Sequence, residues 1–196
     1  MRRRIFIAIN LPDNIKESLE KNRYEIESLF PEEQSRGMIR WVKKENLHIT
    51  LLFLGYLSDE EVGEVCKNVK KAVSEKSVFS LKLEKISYGP PEKIPPLMIW
   101  AVGEKTKEIV DLKGNMEGLL ISPAVKFGKE NRGFKIHITL ARIRAWQWRK
   151  IEPEERPEIE REISLDFEVN SIEVMESKLG RGGAKYMVLE SVKLKK

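Results

Sequence analysis

Histidine and cysteine are nearly absent from this 196-residue chain, which has two of the first and one of the second. A lone cysteine, Cys66, excludes an internal disulfide and leaves no thiolate cluster for a metal. It falls in a helical pattern with Val62, Val65 and Val69, which reads as a buried structural thiol. A reducing, cytoplasmic setting fits that usage. No run of about 18 apolar residues is present, so no membrane span is expected. Glutamine is scarce while lysine and glutamate abound, a balance that points towards a thermophilic source. The basic start Met1-Arg2-Arg3-Arg4 precedes only a short apolar run, Ile5 to Ile9, with no small-residue cleavage site. A first strand is expected there rather than a secretory leader.

Charge is plentiful. Charged residues make up 34% of the chain and hydrophobic ones 41%, which suits a soluble globular protein with a heavily charged surface. The length allows one substantial core or two small lobes sharing one. A net charge of +5 and a pI near 9.2 favour acidic partners, nucleic acid first.

Along the chain, Ile5, Ile7 and Ile9 alternate as a buried strand does. Pro12-Asp13 then opens a helix carrying Ile15, Leu19, Ile26, Leu29 and Phe30, which Pro31 stops ahead of a polar loop from Glu32 to Gly37. Ile39 to Val42 is a short strand, and Leu47 to Leu54 a central one ending at Gly55. Ser58-Asp59-Glu60-Glu61 is a capping box starting a helix through Val62, Val65, Val69 and Val73. Strands follow at Phe79 to Leu83 and, after a proline-rich loop, at Leu97 to Val102. A helix runs through Ile109, Val110, Leu112, Met116 and Leu119, weakened by Gly114 and Gly118. A strand at Lys135 to Ile143, an acidic proline-broken stretch from Glu152 to Glu162, and two last strands joined through Gly180-Arg181-Gly182-Gly183 complete the chain. Its end, Lys193 to Lys196, reads as solvated.

Both histidines open the same tetrapeptide: His48-Ile49-Thr50-Leu51 and His137-Ile138-Thr139-Leu140. Three specified neighbours at frequencies of ~5–10% each recur by accident on the order of once in several thousand tries. The motifs lie 89 residues apart (137 − 48), nearly half the chain. The order strand, helix, motif strand precedes each one. This predicts an internal pseudo-repeat within one domain, residues 1–196, whose halves each supply one His and one Thr to a shared cleft.

In a strand, side chains alternate faces. His48 and Thr50 therefore share one face and Ile49 and Leu51 the other; the same parity holds from His137 to Leu140. The apolar half anchors the tetrapeptide and the polar half is presented. Imidazole exchanges protons near neutrality, so two of them facing one site can serve as base and acid in one turnover. The threonine hydroxyls can donate hydrogen bonds to oxygens that gain charge in the transition state. Zinc would want three or four ligands in a recognisable arrangement, and two histidines without cysteine support do not supply it. No metal and no cofactor are expected.

The stretch Arg40-Trp41-Val42-x-x-Glu45-Asn46-Leu47-His48-Ile49-Thr50-Leu51-x-Phe53-Leu54-Gly55 resembles the first signature of the two-histidine (2H) phosphoesterases. The closest branch is that of the RNA 2′,3′-cyclic phosphodiesterases, also called 2′-5′ RNA ligases, the LigT-like type. Phe6 to Pro12 resembles that branch's opening strand, and His137 to Arg142 its second signature with the trailing arginine. Ser177-Lys178-Leu179, with Gly183 and Tyr186 beyond, is similar to the closing segment. The resemblance implies a bilobal α+β fold, two pseudo-symmetric lobes with antiparallel sheets flanking a central cleft. It also implies hydrolysis of RNA 2′,3′-cyclic phosphate ends to a 2′-phosphate without metal, with a reversible 2′-5′ ligation. RNA bearing such ends is then the expected partner of a cytoplasmic monomer.

Carried over by position, His48 and His137 become the acid–base pair, Thr50 and Thr139 the phosphate donors, and Arg142 a cation near the developing charge. The expected order is His137 as base and His48 as acid. Strict alternation places Arg142 on the apolar face with Ile138 and Leu140. It can serve the site only if the strand ends, twists or bulges near Ala141. Many relatives carry an arginine before the strand Leu97 to Trp100, where this chain has Pro96 and Leu97.

Further candidates for substrate binding are Arg40, Tyr186 and Trp146. Trp146, Trp148, Arg149 and Lys150 interleave rings with cations, as base-stacking loops do, or form a loop that buries one tryptophan. The glycine-rich Gly180 to Gly183 reads as a hairpin connection, since no helix follows to cradle a phosphate. Two other readings share these residues. One is a phosphodiesterase for small cyclic nucleotides or nucleotide-sugar cyclic phosphates, and the other is a module that grips RNA ends without cleaving them.

Overall fold

The expected alternation of strands and helices is present, with several boundaries moved for physical reasons. The computed structural model describes residues 2–30, 37–120, 133–180 and 183–196. In chain order its elements are β1 (Arg3–Asn10), α1 (Asp13–Glu27), β2 (Ile39–Trp41), β3 (His48–Leu57), α2 (Asp59–Val73), β4 (Phe79–Gly89) and β5 (Met98–Gly103). They continue with α3 (Lys107–Leu120), β6 (His137–Ile143), a one-turn α4 (Ala145–Trp148), β7 (Glu160–Val169), β8 (Ser171–Gly180) and β9 (Gly183–Lys193). Pro31 as helix stop, the loop from Glu32 to Arg36, and Arg181 and Gly182 in the last connection lie outside the described residues.

The strands form one antiparallel sheet in the order β7-β4-β5-β6-β3-β1-β8-β9, with β2 paired to β6. The fold is α+β. The order reads as two half-sheets about a central seam, where β3 and β6 share a single register pair, Ile49↔Ile138. Each half has the same plan. β1, α1 and β3 on one side match β5, α3 and β6 on the other, and β8 and β9 match β4 and β7.

The helices cover one face. Ile15 and Leu19 of α1, Val65 and Val69 of α2, and Leu112 and Met116 of α3 join one apolar cluster with Ile49, Leu51, Ile138 and Leu140. Burying an isoleucine or leucine side chain contributes about 1.5–3 kcal/mol, so the apolar half of each tetrapeptide is held firmly. On the opposite face a small second cluster, Phe6, Ala8 and Met175 with Tyr186 against it, lines the first half-sheet.

Two β-bulges repeat across the seam. Ala8 pairs with Thr50 and Ile7 with Leu52, leaving Leu51 as an extra residue. Trp100 pairs with Thr139 and Ile99 with Ala141, leaving Leu140 extra. Both bulges fall three residues past a histidine, and Leu51-Leu52 and Leu140-Ala141 are buried consecutive pairs. Beyond them the side-chain alternation is inverted.

Several boundaries differ from expectation. β3 passes through Gly55 to Leu57, because Gly55, at φ 77°, sits opposite Ile5 beside another register shift. Glycine adopts that left-handed geometry without steric cost. β4 and β7 pair from Phe79↔Val169 to Ser87↔Glu160, so part of the acidic stretch is strand. Trp146 to Trp148 lie in the one-turn α4, with Arg149 and Lys150 in the turn after it; Trp148 is buried, as the second reading of this segment expects, and Trp146 is exposed. Leu29 is exposed just past the end of α1. The C-terminus is pinned, with Leu194 buried and Lys195 bridged to Ser77. Cys66 is half-buried against the core, and burial pushes its thiol up. Among the described residues no helix is long and apolar enough to cross a membrane.

The capping box forms as expected. Glu61 N–H donates to Ser58 Oγ at 3.2 Å, and Ser58 N–H donates to the Glu61 carboxylate at 2.6 Å. Replacing a serine cap by alanine costs ~1 kcal/mol. Ser58→Ala is therefore expected to reduce the unfolding free energy by that amount, read as a lower urea midpoint at unchanged slope; an unaltered midpoint would show that the box contributes nothing.

Candidate active site

Antiparallel register turns the single seam pair into a four-residue site. Ile49 faces Ile138, so His48 falls across from Thr139 and Thr50 across from His137. All four side chains point away from the core, because the isoleucines and leucines beside them are fully buried. Beyond that pair β3 runs against β1, and β6 against β5 and β2, so the quartet lies where the two half-sheets meet.

The two imidazoles are set by the same local device. His48 Nδ1 lies 2.7 Å from the Asn46 carbonyl oxygen, and His137 Nδ1 lies 2.9 Å from that of Lys135. A carbonyl only accepts, so each ring carries its proton on Nδ1 when neutral and turns Nε2 to the cleft. His48 Nε2 is 3.0 Å from Thr50 Oγ1, whose hydroxyl then donates to it. Thr139 Oγ1 lies 3.9 Å from Met98 Sδ.

Surroundings differ between the rings. Phe6 lies 5.0 Å from the His48 ring and Tyr186 approaches it edge-on at 5.1 Å and 86°. Burial among these rings pushes the His48 pKa down; the Asn46 carbonyl opposes this, while His137 and Lys16 add positive charge that lowers it further. That mutual repulsion places both histidines in one electrostatic field. His137 instead lies flat on the indole of Trp100, 4.0 Å away at 27°.

The bulge decides the position of Arg142. Because Leu140 and Ala141 are both buried, Arg142 emerges exposed on the cleft side of β6. It pairs with Arg40 of β2 and with Met98 of β5. Arg40 extends across to β9, its Nη2 lying 2.9 Å from where a Cβ on Gly183 would stand. Tyr186 reaches the site through His48. Trp146 is exposed, with the Lys150 ammonium 5.0 Å from its ring centroid, and its ring contacts neither histidine.

Phe6, Phe53, Trp100 and Lys16 belong to the surroundings of the site without having been expected there. Phe53 stands five residues past His48, as Arg142 stands five past His137, and it is 58% exposed beside Phe6. Overlaying the two motifs residue by residue would have revealed that correspondence. Lys16 is buried by its stem on α1, and burial lowers its ammonium pKa. Among the described residues no group of three or more His, Cys, Asp or Glu could hold a metal ion.

Residues 9–100 match the family model described as LigT like Phosphoesterase, a span that includes the first motif. A protein of Methanocaldococcus jannaschii named RNA 2′,3′-cyclic phosphodiesterase is 29% identical over 188 residues, covering 95% of this chain and 98% of that one. Another of the same name, from Aeropyrum pernix, is 30% identical over 157 residues, 79% of this chain and 86% of its own length. This chain belongs to the LigT-like phosphoesterase family. The crystal structure of TT0787 of Thermus thermophilus superposes with a TM-score of 0.75 at 27% identity, covering 99% of this chain and 98% of that chain. The second His-x-Thr lies beyond the span of the family model. In this LigT-like phosphoesterase it is the repeated bulge and the seam register that tie it to the first.

Only two histidines occur, so their imidazole NMR signals are readily assigned. The His48 signal is expected to titrate below the ordinary value of about 6.5, since protonation must overcome burial and two nearby cations. Lys16→Met removes one of those charges and is expected to move the midpoint up; a midpoint that stays or falls would contradict the electrostatic picture.

Proposed function

We propose that this protein is an RNA 2′,3′-cyclic phosphodiesterase that opens a terminal cyclic phosphate to leave a 2′-phosphate. The observation that carries the reading is the cross-paired quartet of two imidazoles and two hydroxyls. The names of the relatives and the net positive charge support RNA as the substrate class.

In this reading water attacks phosphorus in line with the 3′ oxygen. One imidazole takes the water proton as a P–O bond forms, and the other protonates the 3′ oxygen as its bond to phosphorus breaks. Thr50 and Thr139 donate to the non-bridging oxygens, where negative charge accumulates. Two features favour His137 as base and His48 as acid. The dry surroundings of His48 favour its neutral form, the form an acid reaches by giving up its proton. The indole face beneath His137 favours the cation, which a base becomes. Arg142 and Arg40 stand on the cleft side as cations for phosphate or the RNA backbone, with Tyr186 beside His48. Trp146 extends the surface beyond β6 as a stacking candidate. With a 5′ hydroxyl in place of water as the attacking group, the same quartet serves a reversible 2′-5′ ligation, the 3′ oxygen again leaving with a proton. We read the chain as a single two-lobed domain working as a monomer, and the lone half-buried cysteine fits a cytoplasmic setting.

Product analysis tests the reading directly, with an RNA oligonucleotide ending in a 2′,3′-cyclic phosphate and separation of 2′- from 3′-phosphate. Accumulation of the 2′-phosphate is expected, undiminished in EDTA, and faster on the oligonucleotide than on a cyclic mononucleotide. His48→Ala and His137→Ala should each lose ~10²–10⁴-fold in kcat. Full activity in either variant, or a 3′-phosphate product, would overturn the mechanism.

The pH dependence carries a sign. In kcat/KM, which reports the free enzyme, the limb belonging to His48 is expected below about 6.5. In kcat it should move up, because a bound phosphate anion offsets the repulsion from His137 and Lys16. A limb that moves down on substrate binding would contradict this.

A further inference from the structure

Trp100 is the surface on which His137 rests, and three features show that its indole is held in place. Its ring is stacked on the imidazole at 4.0 Å and 27°. The indole N–H donates to Met98 Sδ at 3.3 Å. On its other contact, Gly89 of β4 leaves room that no other residue leaves: a Cβ there would stand 2.2 Å from indole Cδ2 and 2.4 Å from Cε3. Trp100 is also mostly buried, at 8% exposure. A stacked imidazole with its Nδ1 tied to the Lys135 carbonyl keeps neither rotation nor tilt, so Nε2 has one direction.

The pseudo-repeat shows that this platform is not demanded by the fold. Trp100 pairs with Thr139 as Ala8 pairs with Thr50, so the equivalent position beside the other histidine holds a methyl group. His48 meets Phe6 in a tilted contact at 5.0 Å and Tyr186 edge-on at 5.1 Å. One histidine is placed flat on the electron-rich face of an indole and the other is not. A cation over that face is stabilised by the ring quadrupole, most strongly for tryptophan and where water is excluded.

We propose that Trp100 is a positioning residue for His137. It fixes the direction of Nε2 and stabilises the positive charge that the ring gains on taking the proton of the attacking water. Gly89 and Met98 serve by holding the indole flat. This rests on the hydrolytic reading above for its kinetic part, and on the stacking alone for its structural part.

The test uses the full chain with Trp100→Phe, Trp100→Leu and Gly89→Ala, each checked for an intact thermal transition. By NMR, the carbon-bound protons of His137 should be shifted upfield by the indole ring current, an effect lost in Trp100→Leu and Gly89→Ala. With the cyclic-phosphate oligonucleotide, Trp100→Leu should lower kcat by ~10–100-fold, the scale of a small misplacement of a reacting group, with KM little changed. Trp100→Phe should recover most of the loss, and in a His137→Ala background Trp100→Leu should have no further effect. An unchanged kcat in Trp100→Leu, or an equal loss in the His137→Ala background, overturns the proposal. If Gly89→Ala does not fold, Trp100→Leu and Trp100→Phe decide. If the parent chain opens no cyclic phosphate, the hydrolytic reading falls by itself. The stacking is then still decided, since an unshifted His137 signal overturns it and a shifted one supports it.

Discussion

The contact between Ile49 and Ile138 is the constraint on which the site depends. Two half-sheets meet there through one register pair, so backbone hydrogen bonding contributes little to the join and apolar packing carries it. Each isoleucine is fully buried between a histidine and a threonine. Holding the isoleucines in the core therefore obliges the polar residues on both sides to face outwards, where the half-sheets meet. The apolar cluster sets which face the four residues occupy, and the Nδ1 contacts to backbone carbonyls and the His48–Thr50 hydrogen bond then orient them there.

One extra residue per strand does the rest. If alternation had continued, Arg142 would follow Ile138 and Leu140 into the core, where an unpaired guanidinium is not tolerated. The bulge at Leu140 absorbs one position and returns the arginine to the cleft side. Its counterpart at Leu51 turns Phe53 outwards in the same way. Bulges bend and twist the strands that carry them, which suits two half-sheets that must separate just past the pair they share.

Most of this plan was legible from the chain itself. The repeated tetrapeptide, the alternation of Ile5, Ile7 and Ile9, and the Ser58 capping box carry local signals strong enough to survive tertiary packing. What escaped reading depended on partners far away in sequence. Gly55 reads locally as a terminator, but its left-handed backbone continues a strand because Ile5 lies opposite. Trp100 sits in an apolar run that reads as core, and only the pairing of β5 with β6 puts its ring under His137. Lys16 falls among apolar helix positions, and its stem follows them into the interior. Glu160 to Glu162 read as the end of an acidic, proline-broken stretch until β4 supplies an edge for them to pair with.

A two-fold arrangement of identical motifs has no inherent front or back. The residues five past each histidine remove that ambiguity: a phenyl ring stands at 53 and a guanidinium at 142. The cleft thus has one oily bank, shared by Phe6, Phe53 and Tyr186, and one cationic bank, where Arg142 lies beside Arg40. The pseudo-repeat acquires a sense of direction through its unmatched positions, Phe53 against Arg142 and Ala8 against Trp100.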